Sequence, residues 1–151
     1  MRSIHAVRAA LILLALTGAT SVLAATYADQ VVENLQTRYD YWRDRGDGWT
    51  RLPDLRDTGM LREGANGTVT YTLVKGNTYK IVGACDNDCN DIDFTLRDDG
   101  SNLIDSDTET DDIPFVEVTP IRTGTFTLKT SMVKCSNSVG CDYGVDVYRS
   151  R

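Results

Sequence analysis

Residues 91–96 read Asp-Ile-Asp-Phe-Thr-Leu, a strict alternation of apolar side chains with acid and hydroxyl. In an extended chain, successive side chains point to opposite faces. Ile92, Phe94 and Leu96 therefore share one face, and Asp91, Asp93 and Thr95 share the other. That is the pattern of a strand with one buried and one outward face. The same period of two recurs on both sides: in TVTYTLV (68–74), in TYKIVGA (78–84) after a Lys75-Gly76-Asn77 turn, in NLIDSD (102–107), PFVEVTPI (114–121), TFTLKTSMV (125–133) and YGVDVYR (143–149), and more weakly in DTGMLRE (57–63). Seven or eight short strands, at roughly 8–12-residue spacing with turn residues between them, predict a mainly β fold, an antiparallel sandwich or barrel.

Upstream the period lengthens. In residues 27–45, Val31, Val32, Leu35, Tyr39 and Trp42 recur at steps of three and four with charges between them, which predicts an amphipathic helix. Gly46 is the first helix-breaking residue after it. Such a stripe either packs on the β domain or docks a partner. Further upstream, Arg2 and Arg8 precede and flank the apolar run AALILLAL (9–16), and TGATSVLA (17–24) ends in small residues. This is the plan of a secretory signal peptide, too short in its apolar part for the roughly 20 residues that span a bilayer. The expected organisation is a signal peptide (1–24), a helix (25–46) and a disulfide-stapled β-sandwich domain (47–151). The expected destination is the periplasm or the medium, with no membrane attachment after cleavage.

Loss of the leader removes Arg2 and Arg8, so 14 of the 16 basic residues stand against 22 acidic ones, a net charge of −8. Such a surface repels nucleic acid and anionic lipid. Export also places the four cysteines in an oxidising compartment. Cys85, Cys89, Cys135 and Cys141 allow three connectivities. Two close pairs far apart favour Cys85–Cys89 and Cys135–Cys141, and crossed pairing is the rival. A cysteine zinc site lacks any partner histidine.

The single histidine, His5, belongs to the expected leader. Nucleophilic hydrolysis through an imidazole base has no base to use. Asp57-Thr58-Gly59 is the tripeptide of aspartic proteases, but that chemistry needs two facing aspartates and the chain has one copy. A small hydrolase using two carboxylates stays open by residue type. Asn66-Gly67-Thr68 fits a glycosylation sequon and, better, a hairpin turn.

Between residues 85 and 112 stand eleven acidic side chains and one basic one, Arg97. Dense hard oxygen donors suit calcium. The candidate ligands are Asp86, Asp88, Asp91, Asp93 and Asp107. An EF-hand is excluded, because Asp91 stands where its glycine is required and Arg97 where its glutamate belongs. The competing reading is a solvated acidic loop held by a disulfide. Tyr41, Trp42 and Trp49 are the candidate ligand-facing aromatics.

The run from 76 to 148 resembles the bacterial pre-peptidase C-terminal domain. The resemblance rests on Gly76–Ile81 (GNTYKI), Asp91–Phe94 (DIDF), Asp98–Asp107 (DDGSNLIDSD) and Thr123–Leu128 (TGTFTL), with CDYGVDVY as a closing strand. It implies an exported jelly-roll-like β-sandwich that accompanies secreted hydrolases. Related binding domains hold calcium and attach to polymers. The resemblance carries over Asp91 and Asp93 as the paired aspartates, and nothing catalytic. This chain adds two cysteine pairs and the helix, and its expected organisation holds no catalytic domain. The expected role is a stand-alone, non-catalytic binding or interaction module whose ligand is a polymer such as a polysaccharide, an envelope protein or a secreted enzyme acting in trans. The alternative is a structural or stress-related periplasmic protein without a small ligand.

Overall fold

The computed structural model describes residues 26–150; the expected signal peptide lies outside the described residues. Helix α1 spans Tyr27–Arg45. Its ends are set by local chemistry. The Thr26 hydroxyl accepts the Asp29 N–H at 3.2 Å, and the Asp29 carboxylate accepts the Thr26 N–H at 2.9 Å, a reciprocal capping box. Gly46 ends the helix in the left-handed conformation, with its N–H on the Arg43 carbonyl. Asp29 in the first turn and Arg43 and Arg45 in the last complement the helix dipole.

Nine strands follow among the described residues: β1 (Trp49–Arg51), β2 (Asp57–Leu61), β3 (Asn66–Leu73), β4 (Tyr79–Cys85), β5 (Cys89–Asp98), β6 (Leu103–Asp107), β7 (Phe115–Val118), β8 (Gly124–Cys135) and β9 (Cys141–Ser150). They form two antiparallel sheets. The first runs β1–β9–β4–β7, with β2 also on β9; the second runs β3–β8–β5–β6. β1 pairs with Tyr148–Ser150 and β2 with Cys141–Val145, so both lie along β9. Most connections cross from one sheet to the other, which makes the molecule a sandwich rather than a barrel.

The core lies between the sheets. Ile81, Val116, Val145 and Val147 from the first meet Leu73, Ile92, Phe94, Leu96, Leu128 and Met132 from the second, all fully buried. Each such side chain contributes about 1.5–3 kcal/mol of transfer free energy. The alternation of 91–96 thus reads correctly for Ile92, Phe94 and Leu96. The helix forms a third layer on the outer side of the first sheet. Val31 and Leu35 are its buried residues and close over Ala84 and Gly144. The Asn34 side chain donates to the Cys85 carbonyl at 2.9 Å, and the Gln30 carbonyl oxygen accepts the Asn87 N–H at 3.1 Å, tying α1 to the β4–β5 turn.

Three details differ from the sequence reading. Asn66 and Gly67 are not a turn: they open β3, and the chain turns at Arg62–Ala65 with Gly64 at φ 76°. Gly67 is used instead to make room for the Tyr143 hydroxyl, 2.8 Å from where a Cβ would stand. Strand β1 was not expected, because three residues are too short to show a period. Val32, counted in the helix stripe, is exposed, while Tyr39 stacks on Tyr148 and Trp42 meets it edge-on at 5.1 Å.

The structure contains the disulfides Cys85–Cys89 and Cys135–Cys141, and no free cysteine. Cys89 and Cys135 are directly opposite each other on β5 and β8, so the two bridges lie side by side at one end of the sandwich. Short loops of this kind stabilise by roughly 2 kcal/mol each.

Candidate functional site

The five aspartates proposed from sequence as calcium ligands do three different things. Asp86 is buried and works as a backbone acceptor. One carboxylate oxygen takes the N–H groups of Asp88 (3.0 Å) and Cys89 (3.2 Å), and the other takes that of Asp142 (2.6 Å). It stitches the β4–β5 turn to the start of β9, and its repulsion adds to burial in raising the Asp142 carboxyl. Asp88 accepts the Asn137 amide at 3.1 Å, and its carbonyl takes both the N–H and the hydroxyl of Ser136. It joins the two disulfide loops.

Asp91 and Asp93 behave differently. Alternation places both outward, but register irregularities flank Asp91 in the β5–β8 ladder. Asp91 is consequently only 8% exposed, and one of its carboxylate oxygens has no hydrogen-bond partner. Burial, followed by the charge of Asp111, raises its carboxyl above the ordinary carboxylate range, with Lys134 opposing. Asp93 is raised by burial, then by Asp91 and Asp107. Among the described residues, no three acidic side chains converge as a metal cluster.

Asp107 belongs to an edge. β6 and β7 are outer strands of opposite sheets, and each would present unpaired backbone groups. Instead the Asp107 carboxylate accepts the Phe115 N–H at 3.0 Å, and that of Asp105 accepts the Glu117 N–H at 2.8 Å. Two side chains thus stand in for a missing strand and bring both sheets together along one seam.

That seam carries two adjoining hollows. On one side is an acidic hollow of about 400 Å³, walled by Asp105, Asp107, Glu109 and Asp111 with Ile113 and Phe115. No basic side chain among the described residues lines it. On the other side is a groove of about 320 Å³ between α1 and β7, lined by Arg38, Tyr41, Trp42 and Val82 and again by Asp111, Ile113 and Phe115. The segment joining β6 to β7 is the ridge shared by both. Phe115 is 50% exposed and Tyr41 52%. Trp49 lies off the groove. Its ring, with those of Trp42 and Phe115, surrounds the Lys80 ammonium at 4.8–5.3 Å, and Lys80 also pairs with Glu117 at 3.5 Å. Of the residues singled out from sequence, the structure brings Tyr41, Trp42 and Asp107 to this face. It adds Asp105, Glu109, Asp111, Ile113 and Phe115. The signal for Asp105, Glu109 and Asp111 was only the acidic composition of 105–112, and Phe115 showed only as part of the strand at 114–121.

Other polar centres are structural. Asp146 is wholly buried under α1. Arg56 holds it in a two-pronged pair at 2.7 and 2.8 Å, Arg51 approaches at 3.3 Å, and the Tyr148 hydroxyl donates at 3.3 Å. Arg51 is itself stacked over Tyr39 at 4.1 Å. This network locks the β1–β2 ribbon to β9 beneath the helix. Asp57 of the Asp-Thr-Gly string pairs with Val145 on β9, and burial raises its carboxyl. Gly59 of the same string gives way to the Tyr143 ring, 3.0 Å from a built Cβ.

No family model matches the chain, and no curated protein matches it. Among solved structures, it is similar to the pre-peptidase C-terminal domain of collagenase from Bacillus anthracis, at 12% identity and a TM-score of 0.47, over 61% of this chain and 86% of that one. It is also similar to PliG of Aeromonas hydrophila, a periplasmic lysozyme inhibitor of g-type lysozyme, at 10% identity and a TM-score of 0.44, over 70% and 90%. Both scores lie below 0.5.

Proposed function

We propose that this chain is an exported, non-catalytic binding module whose ligand seats on the β6–β7 seam. The observation that carries the reading is the shared ridge. Asp111, Ile113 and Phe115 wall an acidic hollow on one side and an aromatic groove on the other, so one ligand can engage both. Exposed rings beside fixed polar groups are the usual composition of a recognition surface. Against catalysis, the only histidine is residue 5 and all four cysteines are oxidised. Export accords with the two disulfides. The ligand classes in view are a polysaccharide, an envelope protein and a secreted enzyme acting in trans.

The protein carries its own reporter. Its two tryptophans are Trp42 and Trp49, and Trp42 lines the groove. A Trp49→Phe variant makes fluorescence report on the groove alone. Titration with soluble glycans, envelope proteins and secreted hydrolases should give a saturable change that Phe115→Ala with Tyr41→Ala abolishes without loss of fold. No change with any class defeats the reading. It would leave the structural role, which the use of Asp86, Asp88, Asp105 and Asp107 as internal acceptors favours. For calcium, the Asp86 carboxylate is already filled by three backbone donors, and no three acidic side chains among the described residues are gathered in advance. Binding would raise the melting temperature, and an unchanged curve removes calcium from the reading.

A further inference from the structure

We propose that the two disulfides form one exchange unit, in which Cys89 and Cys135 bond directly across the β5–β8 strand pair once either bridge is opened. The two residues are opposite each other in the register of these strands. The Ser136 N–H donates to the Asp88 carbonyl at 2.9 Å, one position outside the pair on each strand. The N–H groups of Cys89 and Cys135 turn elsewhere, to the Asp86 carbonyl at 3.1 Å and the Glu63 carboxylate at 3.1 Å. The pair is therefore of the non-hydrogen-bonded kind, in which facing Cα atoms stand about 4.5 Å apart and side chains are closest. A disulfide needs about 4.4–6.8 Å. Both side chains point into the same buried cluster, together with Cys85 and Cys141. The backbone thus offers each of the two a partner across the sheet as well as one along its own loop.

Exposure sets the order of events. Cys89 is 5% exposed and Cys135 8%, whereas Cys85 and Cys141 are 0% exposed. A small dithiol reductant therefore enters at Cys89 or Cys135. At Cys135, its thiolate attacks Sγ and expels the Cys141 thiolate. Its second thiol then attacks the first sulfur and releases the Cys135 thiolate, so the reductant becomes a cyclic disulfide and the bridge a dithiol. The Cys135 thiolate next attacks Cys89 Sγ. The Cys89–Cys135 bond forms, the Cys85–Cys89 bond breaks, and Cys85 leaves as a thiolate that takes a proton from water. This last step consumes no electrons. Both short loops are released, while β5 and β8, the inner strands of the second sheet, become stapled to each other. The exchange also unclamps the β4–β5 turn, to which α1 is tied through Asn34 and Gln30.

The test is to treat the folded, oxidised protein with a limiting amount of a small dithiol in mildly alkaline buffer, where thiolate is present. Free thiols are then blocked by rapid alkylation and the peptides mapped by mass. The expected single-bridge species carries a Cys89–Cys135 peptide and alkyl groups on Cys85 and Cys141. In urea the same treatment should give that bridge only as a minor product, because an unfolded chain closes a short loop more readily than a long one. Single-bridge protein that holds only Cys85–Cys89 or Cys135–Cys141 overturns the proposal. So does a Cys89–Cys135 yield no higher in buffer than in urea. A Cys85→Ser, Cys141→Ser double variant tests the same contact without exchange. It should oxidise to Cys89–Cys135 and unfold at higher urea than its own reduced form. Two thiols that persist in the folded variant under an oxidant that restores both bridges of the reduced parent protein also overturn it.

Discussion

The carboxylate of Asp107, on an edge strand of one sheet, accepts the backbone N–H of Phe115, on an edge strand of the other, at 3.0 Å. An aspartate that looks like a metal ligand in the sequence here replaces a strand-to-strand hydrogen bond. Asp107→Ala should cost about 1–2 kcal/mol, the net worth of a partly exposed hydrogen bond to a charged acceptor. Because it bares the β7 edge, it should also promote self-association, checked by denaturant titration and by size-exclusion elution. Unchanged stability and elution would mean that the seam is closed by other contacts.

A Cβ on Gly144 would stand 2.7 Å from Val31 Cγ1 and 2.9 Å from Leu35 Cδ1. Glycine is therefore what lets α1 lie directly on β9. Gly144→Ala should destabilise by about 1–3 kcal/mol through overpacking. Val31→Ala in the same chain should recover part of that loss, because the two sites share one contact. Additive effects in the double variant would show that the helix does not rest there.

Asp146 is 0% exposed and satisfied by Arg56, Arg51 and Tyr148. Arg56→Met removes the two-pronged partner and leaves the charge buried. The expected cost is about 3–5 kcal/mol. Asp146→Asn is expected to be similarly costly, since it leaves two guanidinium groups short of their acceptor. Urea unfolding of both variants checks this.

Asp91 makes the opposite prediction. Its carboxyl is raised in the folded protein, by burial first and by Asp111 second. The folded state therefore holds the proton more tightly than the unfolded chain does. Ionisation penalises the fold, and the penalty is absent below the ordinary aspartate value of about 3.9. It grows as the pH climbs from there through the raised value and is complete above it. In chelator, Asp91→Asn should raise the melting temperature at pH 7 by roughly 2–5 °C and leave it nearly unchanged at pH 3. If calcium is bound, the same variant should instead lose a calcium-dependent stabilisation. A lower melting temperature in chelator at pH 7 would contradict the burial argument.

The elements that read well from sequence are those whose own residues repeat a period. Helix 27–45 carries its stripe and its stop at Gly46, and the strand at Asp91–Leu96 carries its alternation through three buried apolar side chains. What could not be read is set by partners distant in the chain. The covering of Asp91 accompanies an irregular register that depends on how Cys89 and Ile92 meet β8. The burial of Asp86 depends on Asp142, fifty-six positions away. Phe115, the centre of the proposed face, looked like any strand residue. It lies with Glu117 on the outward face of β7, while Val116 and Val118 are buried, and the sequence alone does not mark which face meets the core. Composition identified the acid without revealing which carboxylates were already occupied.

Strand β9 pairs with β1, β2 and β4 and lies beneath α1, yet it comes last of all the strands. The elements made first therefore have no sheet to join until residues 141–150 have been synthesised. β1 and β2 must wait for the rest of the domain, so the amphipathic helix and its ribbon emerge unprotected. Folding of the first-made elements is thus tied to completion of the chain, as expected where most pairings join distant segments.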